Sequence, residues 1–216
     1  MLESNRNLHY AIVLTGGIAC GKSSVADILK EAHFEVVCAD TIAHRVLEEC
    51  AMEIIAAFGE NVRTKPLNAN AESTITTPLI DRQALGKIVF SDPKKRALLE
   101  SITHPRIYKQ ILAKASVLER KKQWYFLDIP LFFESGGMAR YPVRYVVCVS
   151  AREEIQLSRL KSRNHFDTKY AKERIDAQMP TTQKEKQSTW ILYNNGTKEE
   201  LKQQVQTFIQ TLDSMH

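Results

Sequence analysis

The 216-residue sequence is short of cysteine, of long apolar runs and of concentrated charge. Its four cysteines, Cys20, Cys38, Cys50 and Cys148, form no C-x-x-C pair and no disulfide-like framework. That excludes a stapled secreted scaffold and leaves reduced, mostly buried thiols. The six histidines show no metal-ligand spacing with the cysteines, which excludes a zinc-finger type of module. No stretch approaches the ~20 apolar residues that cross a bilayer, so no membrane partner is expected. The opening "MLESNRNLHY" is polar and lacks the apolar centre of a signal peptide, so the expected location is cytoplasmic. There is no internal repeat and no low-complexity tract.

What remains is an ordinary globular composition, 44% hydrophobic and 25% charged. The net charge of +5 is spread along the chain rather than massed in a tail. The run Arg120–Lys122 reads as a solvated helix end. A diffuse basic surface of this kind suits small polyphosphates better than nucleic acid, and no nucleic-acid partner is expected. A monomer is the expected state, with oligomers left open.

Along the chain, "YAIVLT" (10–15) is an apolar run ending in glycines and reads as a strand buried on both faces. Val25, Ile28 and Leu29 then take helical spacing to about Glu31. "FEVVCAD" (34–40) is a second strand, and Ala43 to Phe58 space as one long helix. Strands alternating with helices imply a parallel sheet. Residues 59–78 are polar and irregular. Asp81 and Asp92 are good N-caps, Pro93 suits a first helical position, and Pro105 should kink or interrupt the long helix that follows. "WYFLDIP" (124–130), "YVVCVS" (145–150) and "TWILYNNG" (189–196) supply three more strands. "ESGGMARYP" reads as a flexible loop. Helical patterns cover 151–163, the stretch after the polar turn "RNHFDT", and the amphipathic C-terminus with Leu201, Val205, Phe208, Ile209 and Leu212 on one face.

The strand–glycine–helix junction reads "LTGGIACGKSSVADIL". It contains G-x-x-x-x-G-K-S at Gly16, Gly21, Lys22 and Ser23. Backbone N–H groups from Gly17 to Ser24 can face phosphate oxygens, and the helix behind them adds its positive end. Lys22 can reach the outer phosphates, and the Ser23 hydroxyl can ligate Mg²⁺. A plain glycine turn would leave Lys22 and Ser23 unexplained. Asp40 and Asp128 close the second and third strands, where a doubly wound sheet gathers its ligand. Asp40 can accept a proton or cap a helix. Asp128 can face Mg²⁺ through water or simply end a strand. Arg159 and Arg163, four apart on one helix, can neutralise a transferring phosphoryl group or lie solvated. Spacing gives His104 no chemical role.

The series "LTGGIACGKSSVA", "CADTIAHRVL", "DRQALGKIVF", "ITHPRI", "LDIPLFFESG", "QLSRLKSRN" and "NNG" resembles the dephospho-CoA kinase family from about Ala11 to Leu212. The resemblance implies a P-loop kinase-like α/β fold with a five-stranded parallel sheet, a helical acceptor-binding insertion and a lid. It implies transfer of the γ-phosphoryl of ATP, with Mg²⁺, to the 3′-hydroxyl of dephospho-CoA. It implies Asp40 as general base, with Lys22, Arg159 and Arg163 on the transferring group. ATP would be held by Gly17, Ala19, Cys20, Gly21, Lys22, Ser23, Ser24, Asn195 and Gly196. The acceptor would be held by Thr15, Asp40, Arg82 and His104, and Mg²⁺ by Ser23 and Asp128.

One domain follows, with a nucleotide-binding core of 8–58, 123–150 and 189–216, an acceptor subdomain of 59–122 and a lid region of 151–188. This chain departs from the family at the loop tip, where Ala19-Cys20 replaces the usual Gly-Ser. Cys38 stands where the family often has Asp, and Ser188-Thr189 where it usually has Ala-Asp. Ala19 is therefore expected to avoid positive φ. Cys20, beside a helix N-terminus, is expected to have a lowered thiol pKa. Two rival readings are another small P-loop kinase, for nucleoside monophosphates or a metabolite, and a nucleotide-binding regulatory protein without transfer activity.

Overall fold

A computed structural model describes residues 7–64, 79–164 and 166–215, apart from the side chain of Asn164. Most of the irregular segment expected over 59–78, and His165 in the polar turn, lie outside these residues. The described chain divides into two compact units, residues 1–38 with 114–216, and residues 39–113.

The first unit is built on five parallel strands: β1 (Leu8–Gly16), β2 (Val36–Cys38), β3 (Tyr125–Asp128), β4 (Val143–Ser150) and β5 (Trp190–Tyr193). Their order is β2-β3-β1-β4-β5, which puts β1 in the middle. Ala11, Ile12, Val13 and Leu14 are all fully buried, as an unbroken apolar run in a two-sided parallel sheet must be. Register pairs Leu14 with Asp128 and Thr15 with Cys148, so the carboxyl ends of β3, β1 and β4 come out side by side. That is where a doubly wound sheet binds its ligand.

Helix α1 (Lys22–Glu31) follows β1 and buries Val25, Ala26 and Leu29. These pack in one core with Phe126, Val147, Leu192 and the inner face of the C-terminal helix, whose Leu201, Val205, Phe208 and Leu212 are buried. That C-terminal helix (Lys198–Asp213) starts on a capping box, in which Thr197 and Glu200 each satisfy the other's backbone N–H.

The second unit opens with α2 (Ala39–Glu49) and α3 (Ala51–Phe58) and continues through a 3₁₀ turn at Glu60–Val62 to α4 (Arg82–Ser91). It closes on the first part of α5 (Pro93–Glu119). The single helix expected over 43–58 is two helices, because Cys50 sits at φ −96° and ψ 9°, outside the helical range. Asp81 caps α4 as expected, accepting from the N–H groups of Gln83 and Ala84 at 3.0 Å. Asp92 does the same for α5 with Lys94 at 2.8 Å. Pro105 does not interrupt α5, which runs through it as one helix of 27 residues. Beside the proline, the Arg106 guanidinium donates to the Ile102 carbonyl one turn back, at 2.7 Å. Ile102 and Ile111 point inward, and Arg106 pairs with Glu53 at 2.9 Å.

The first unit also carries α6 (Gly137–Arg140), α7 (Glu153–Asn164), α8 (Thr168–Asp176) and α9 (Thr181–Lys186), with α10 the C-terminal helix. The stretch "ESGGMARYP", expected as a loop, contains α6. Gly136, at φ +108°, supplies the left-handed step into it.

Candidate functional site

The site of the first unit is assembled where β1 turns into α1. Gly16 ends the strand against the Val149 carbonyl, and a Cβ at Gly16 would come within 2.5 Å of that oxygen. Only glycine lets the two strands stay paired there. Helix α1 starts at Lys22, so the N–H groups of Lys22, Ser23 and Ser24 are first-turn donors without an intrahelical acceptor. Aligned peptide dipoles add a partial positive charge at the same point. Two of the N–H groups between Gly17 and Ser24 are already engaged within the protein. The Ile18 N–H donates to Gln178 Oε1 at 2.9 Å, and the Cys20 N–H donates to the Gly17 carbonyl at 3.2 Å.

The Lys22 ammonium donates to the Asp128 carboxylate. Both side chains are largely buried, at 14% and 9% exposure. β1 delivers Lys22 through the loop, and β3 delivers Asp128 at its last residue, so the pair stands at the end of the sheet. Ser23 is exposed beside them. Thr15 is fully buried, and its hydroxyl donates to the Pro130 carbonyl at 3.0 Å. It ties the end of β1 to the turn after β3.

The loop tip departs from both sequence expectations. Ala19 adopts φ +58°, the left-handed conformation it was expected to avoid. For an alanine this costs about 1–2 kcal/mol relative to the ordinary helical well. The surroundings hold it there: Arg159 Nη1 donates to the Ala19 carbonyl at 3.2 Å. Gly21 is also left-handed, at φ +94°, as a glycine readily is. Cys20 does not face outward. It is fully buried, and its thiol lies with the Thr181 hydroxyl and the backbone of Ala151 and Gly17. Burial pushes the Cys20 thiol pKa up, against the lowering expected from a helix N-terminus, because desolvation of the thiolate outweighs the nearby donors and Arg159.

The two arginines of α7 separate. Arg159 is half-buried, its Nη2 donating to the backbone carbonyl of Asn194 at 3.0 Å and to its Oδ1 at 3.1 Å. Arg163 is exposed in the last turn of α7. Asn195 Oδ1 accepts from the Arg152 N–H at 2.8 Å, and Gly196 is exposed just after it.

In the second unit, Asp40 is exposed in the first turn of α2. It is neither the end of β2, which stops at Cys38, nor a cap, because α2 already begins at Ala39. Arg82 is exposed, with Nη2 at 3.5 Å from Glu48. His104 is half-buried on α5.

Three polar residues here were not singled out from sequence. Lys184, on α9, is fully buried, with Nζ at 2.8 Å from Glu134 and 3.4 Å from the Gly16 carbonyl. Glu134 also accepts the Met179 N–H at 3.0 Å. Asn194 is 7% exposed, and its Nδ2 donates to the Cys20 carbonyl at 2.9 Å. Glu134 and Asn194 sit inside "LDIPLFFESG" and "NNG", so the motifs held the signal. Lys184 sits in the polar run "TTQKEKQ", which gives no sign of burial.

A family model described as dephospho-CoA kinase matches residues 10–200. The chain belongs to the dephospho-CoA kinase family. The dephospho-CoA kinase of Helicobacter hepaticus is 41% identical over 208 residues, covering 96% of this chain and 95% of the relative. That of Wolinella succinogenes is 41% identical over 207 residues, covering 95% and 96%. The solved dephospho-CoA kinase from Campylobacter jejuni superposes with a TM-score of 0.72 at 31% identity, covering 96% of this chain and all of the other. Membership makes the chain a kinase on a P-loop fold, and the parallel sheet, the glycine loop and Lys22 are the parts of that fold already described.

Proposed function

We propose that this chain transfers the γ-phosphoryl of ATP to the 3′-hydroxyl of dephospho-CoA, giving coenzyme A and ADP, the last step in making coenzyme A. Family membership over residues 10–200 supports the reaction. The observation that carries it into chemistry is the meeting of Lys22 and Asp128 at the mouth of a glycine loop backed by a helix N-terminus.

Phosphoryl transfer asks little covalent chemistry of a protein and much positioning and charge. The first-turn N–H groups of α1 hold phosphate oxygens. Lys22 neutralises charge on the outer phosphates. Arg163, exposed at the end of α7, is the arginine free to approach the transferring group. Asp40 takes the proton of the attacking hydroxyl. Its exposure leaves it hydrated until substrates arrive. Arg82 and His104 belong with the acceptor, as does the helical unit that carries them. Asn195 and Gly196 belong with the adenine of ATP.

Among the described residues no group of three or more His, Cys, Asp or Glu could hold a metal ion. Mg²⁺ does not need such a group, being commonly held by one or two protein oxygens together with substrate phosphates. The Ser23 hydroxyl and the Asp128 carboxylate are the oxygens suited to it, Asp128 through water. When bound, Mg²⁺ supplies positive charge to the β- and γ-phosphates.

The test is ADP release by the purified protein against a panel of acceptors. Release with dephospho-CoA, and not with nucleoside monophosphates, supports the reading. Turnover with another acceptor alone sinks it.

A further inference from the structure

The left-handed Ala19 needs something to hold it, and Asn194 is placed to do so through the Cys20 carbonyl and Arg159. Asn194 follows the last residue of β5 and is nearly buried, at 7% exposure. Its N–H donates to the Ser150 carbonyl at 2.8 Å, fixing it to the end of β4. Its carbonyl and its Oδ1 both accept from Arg159 Nη2, at 3.0 and 3.1 Å. Its Nδ2 donates to the Cys20 carbonyl at 2.9 Å. Arg159, oriented in this way, gives its other nitrogen to the Ala19 carbonyl at 3.2 Å. Two successive carbonyls of the loop tip are thus pinned from one side.

A trans peptide is planar, so its carbonyl and the following N–H point in opposite directions. Holding the Cys20 carbonyl on Asn194 turns the Gly21 N–H the other way. Holding the Ala19 carbonyl on Arg159 turns the Cys20 N–H toward the Gly17 carbonyl, which it reaches at 3.2 Å. The fit is close on the Asn194 side: a Cβ on Gly21 would lie 2.0 Å from Asn194 Nδ2.

We propose that Asn194 is a positioning residue that, through the Cys20 carbonyl and Arg159, holds the strained Ala19 tip in the shape that binds the phosphates of ATP. The proposal rests on the reading of the loop as an ATP site, and deepens it. Asn194 touches no reacting atom. It keeps the backbone donors of the loop in register before ATP arrives.

The test compares Asn194→Ala, Ala19→Gly and the double variant, with Asn194→Asp as a shape-preserving control. Affinity for ATP is read by titration with a fluorescent ATP analogue, and KM and kcat are read separately for ATP and for the acceptor. Asn194→Ala raises the Kd and KM for ATP on the order of tenfold, the factor that matches the strain of a left-handed alanine. The KM for the acceptor stays near its starting value. Asn194→Asp keeps the Arg159 contacts and loses the donor to Cys20, and it weakens ATP in the same direction. In the Ala19→Gly background the Asn194→Ala effect shrinks to a few-fold, because glycine needs no help at positive φ. An equal loss in both backgrounds, an unchanged Kd, or an Asn194→Asp protein with wild-type ATP affinity overturns the proposal. The titration needs no acceptor, so its outcome is independent of which acceptor the enzyme uses.

Discussion

Lys184 Nζ stands 2.8 Å from the carboxylate of Glu134, and Lys184 is fully buried. The pair joins α9 to the segment after β3 and places the ammonium 3.4 Å from the carbonyl of Gly16, the residue that opens the phosphate loop. A buried ion pair is worth little against an apolar replacement, yet breaking one side of it is costly. Glu134→Ala leaves a buried ammonium unpaired and removes the acceptor of the Met179 N–H. Stability should drop by about 3–5 kcal/mol. Lys184→Met should cost less, because Glu134 is 23% exposed and can rehydrate. Denaturant unfolding of the two variants checks the order, and equal losses would show that the asymmetry of burial does not matter.

Asp128 faces Lys22 and closes β3. Asp128→Asn keeps the shape and removes the charge. Turnover should then need a higher Mg²⁺ concentration to reach half its maximum, and the maximum itself should fall. Unchanged Mg²⁺ dependence would limit Asp128 to orienting Lys22.

Asp40 should matter to turnover and not to the donor. Asp40→Asn is expected to lower kcat by about 10²–10⁴-fold, the range of a positioned general base, while ATP affinity stays close to that of the unaltered protein. Turnover near wild type would reduce Asp40 to a polar residue of the first turn of α2.

Much of this arrangement was legible in the chain. The buried run Ala11–Leu14, the glycines and Lys22 announce a strand, a loop and a helix because each element answers to a local rule. Asp81 and Asp92 announce helix starts for the same reason. The split at Cys50 and the unbroken α5 at Pro105 were not legible, because tertiary packing decides whether a local break is used. The conformation of Ala19 was misread since intrinsic preference was weighed without Arg159, a residue 140 positions away. Cys20 was misread in the same way: its place in the sequence puts it at a loop tip, and only the fold shows its thiol turned inward against Thr181 and Ala151.

That inward turn has a chemical consequence. Burial raises the thiol of Cys20 and pushes that of Cys148 up to about 12. Cys38 is the least buried of the four. An alkylating reagent near neutral pH should label Cys38 first and leave Cys20 and Cys148 until the chain unfolds, with or without ATP. Protection of a readily labelled Cys20 by ATP would contradict this.

The raised thiols also set a slope in stability at high pH. A raised folded-state pKa means that the native protein keeps a proton the unfolded chain releases. The contribution of Cys148 is complete below its ordinary value of 9.0 and is lost as the pH climbs toward about 12. Tyr125, raised by burial and by Glu119, adds to the loss at the upper end. Melting temperature should fall with pH above about 9, and Cys148→Ala should make that fall shallower.

The most direct test of the whole account is the identity of the product. The protein is incubated with Mg²⁺, ATP and dephospho-CoA, and the phosphorus species are followed by NMR. The account predicts one new phosphomonoester on the 3′-oxygen of the acceptor ribose, formed in step with ADP. ATP consumed without that ester, or a phosphate on a different hydroxyl, would contradict it.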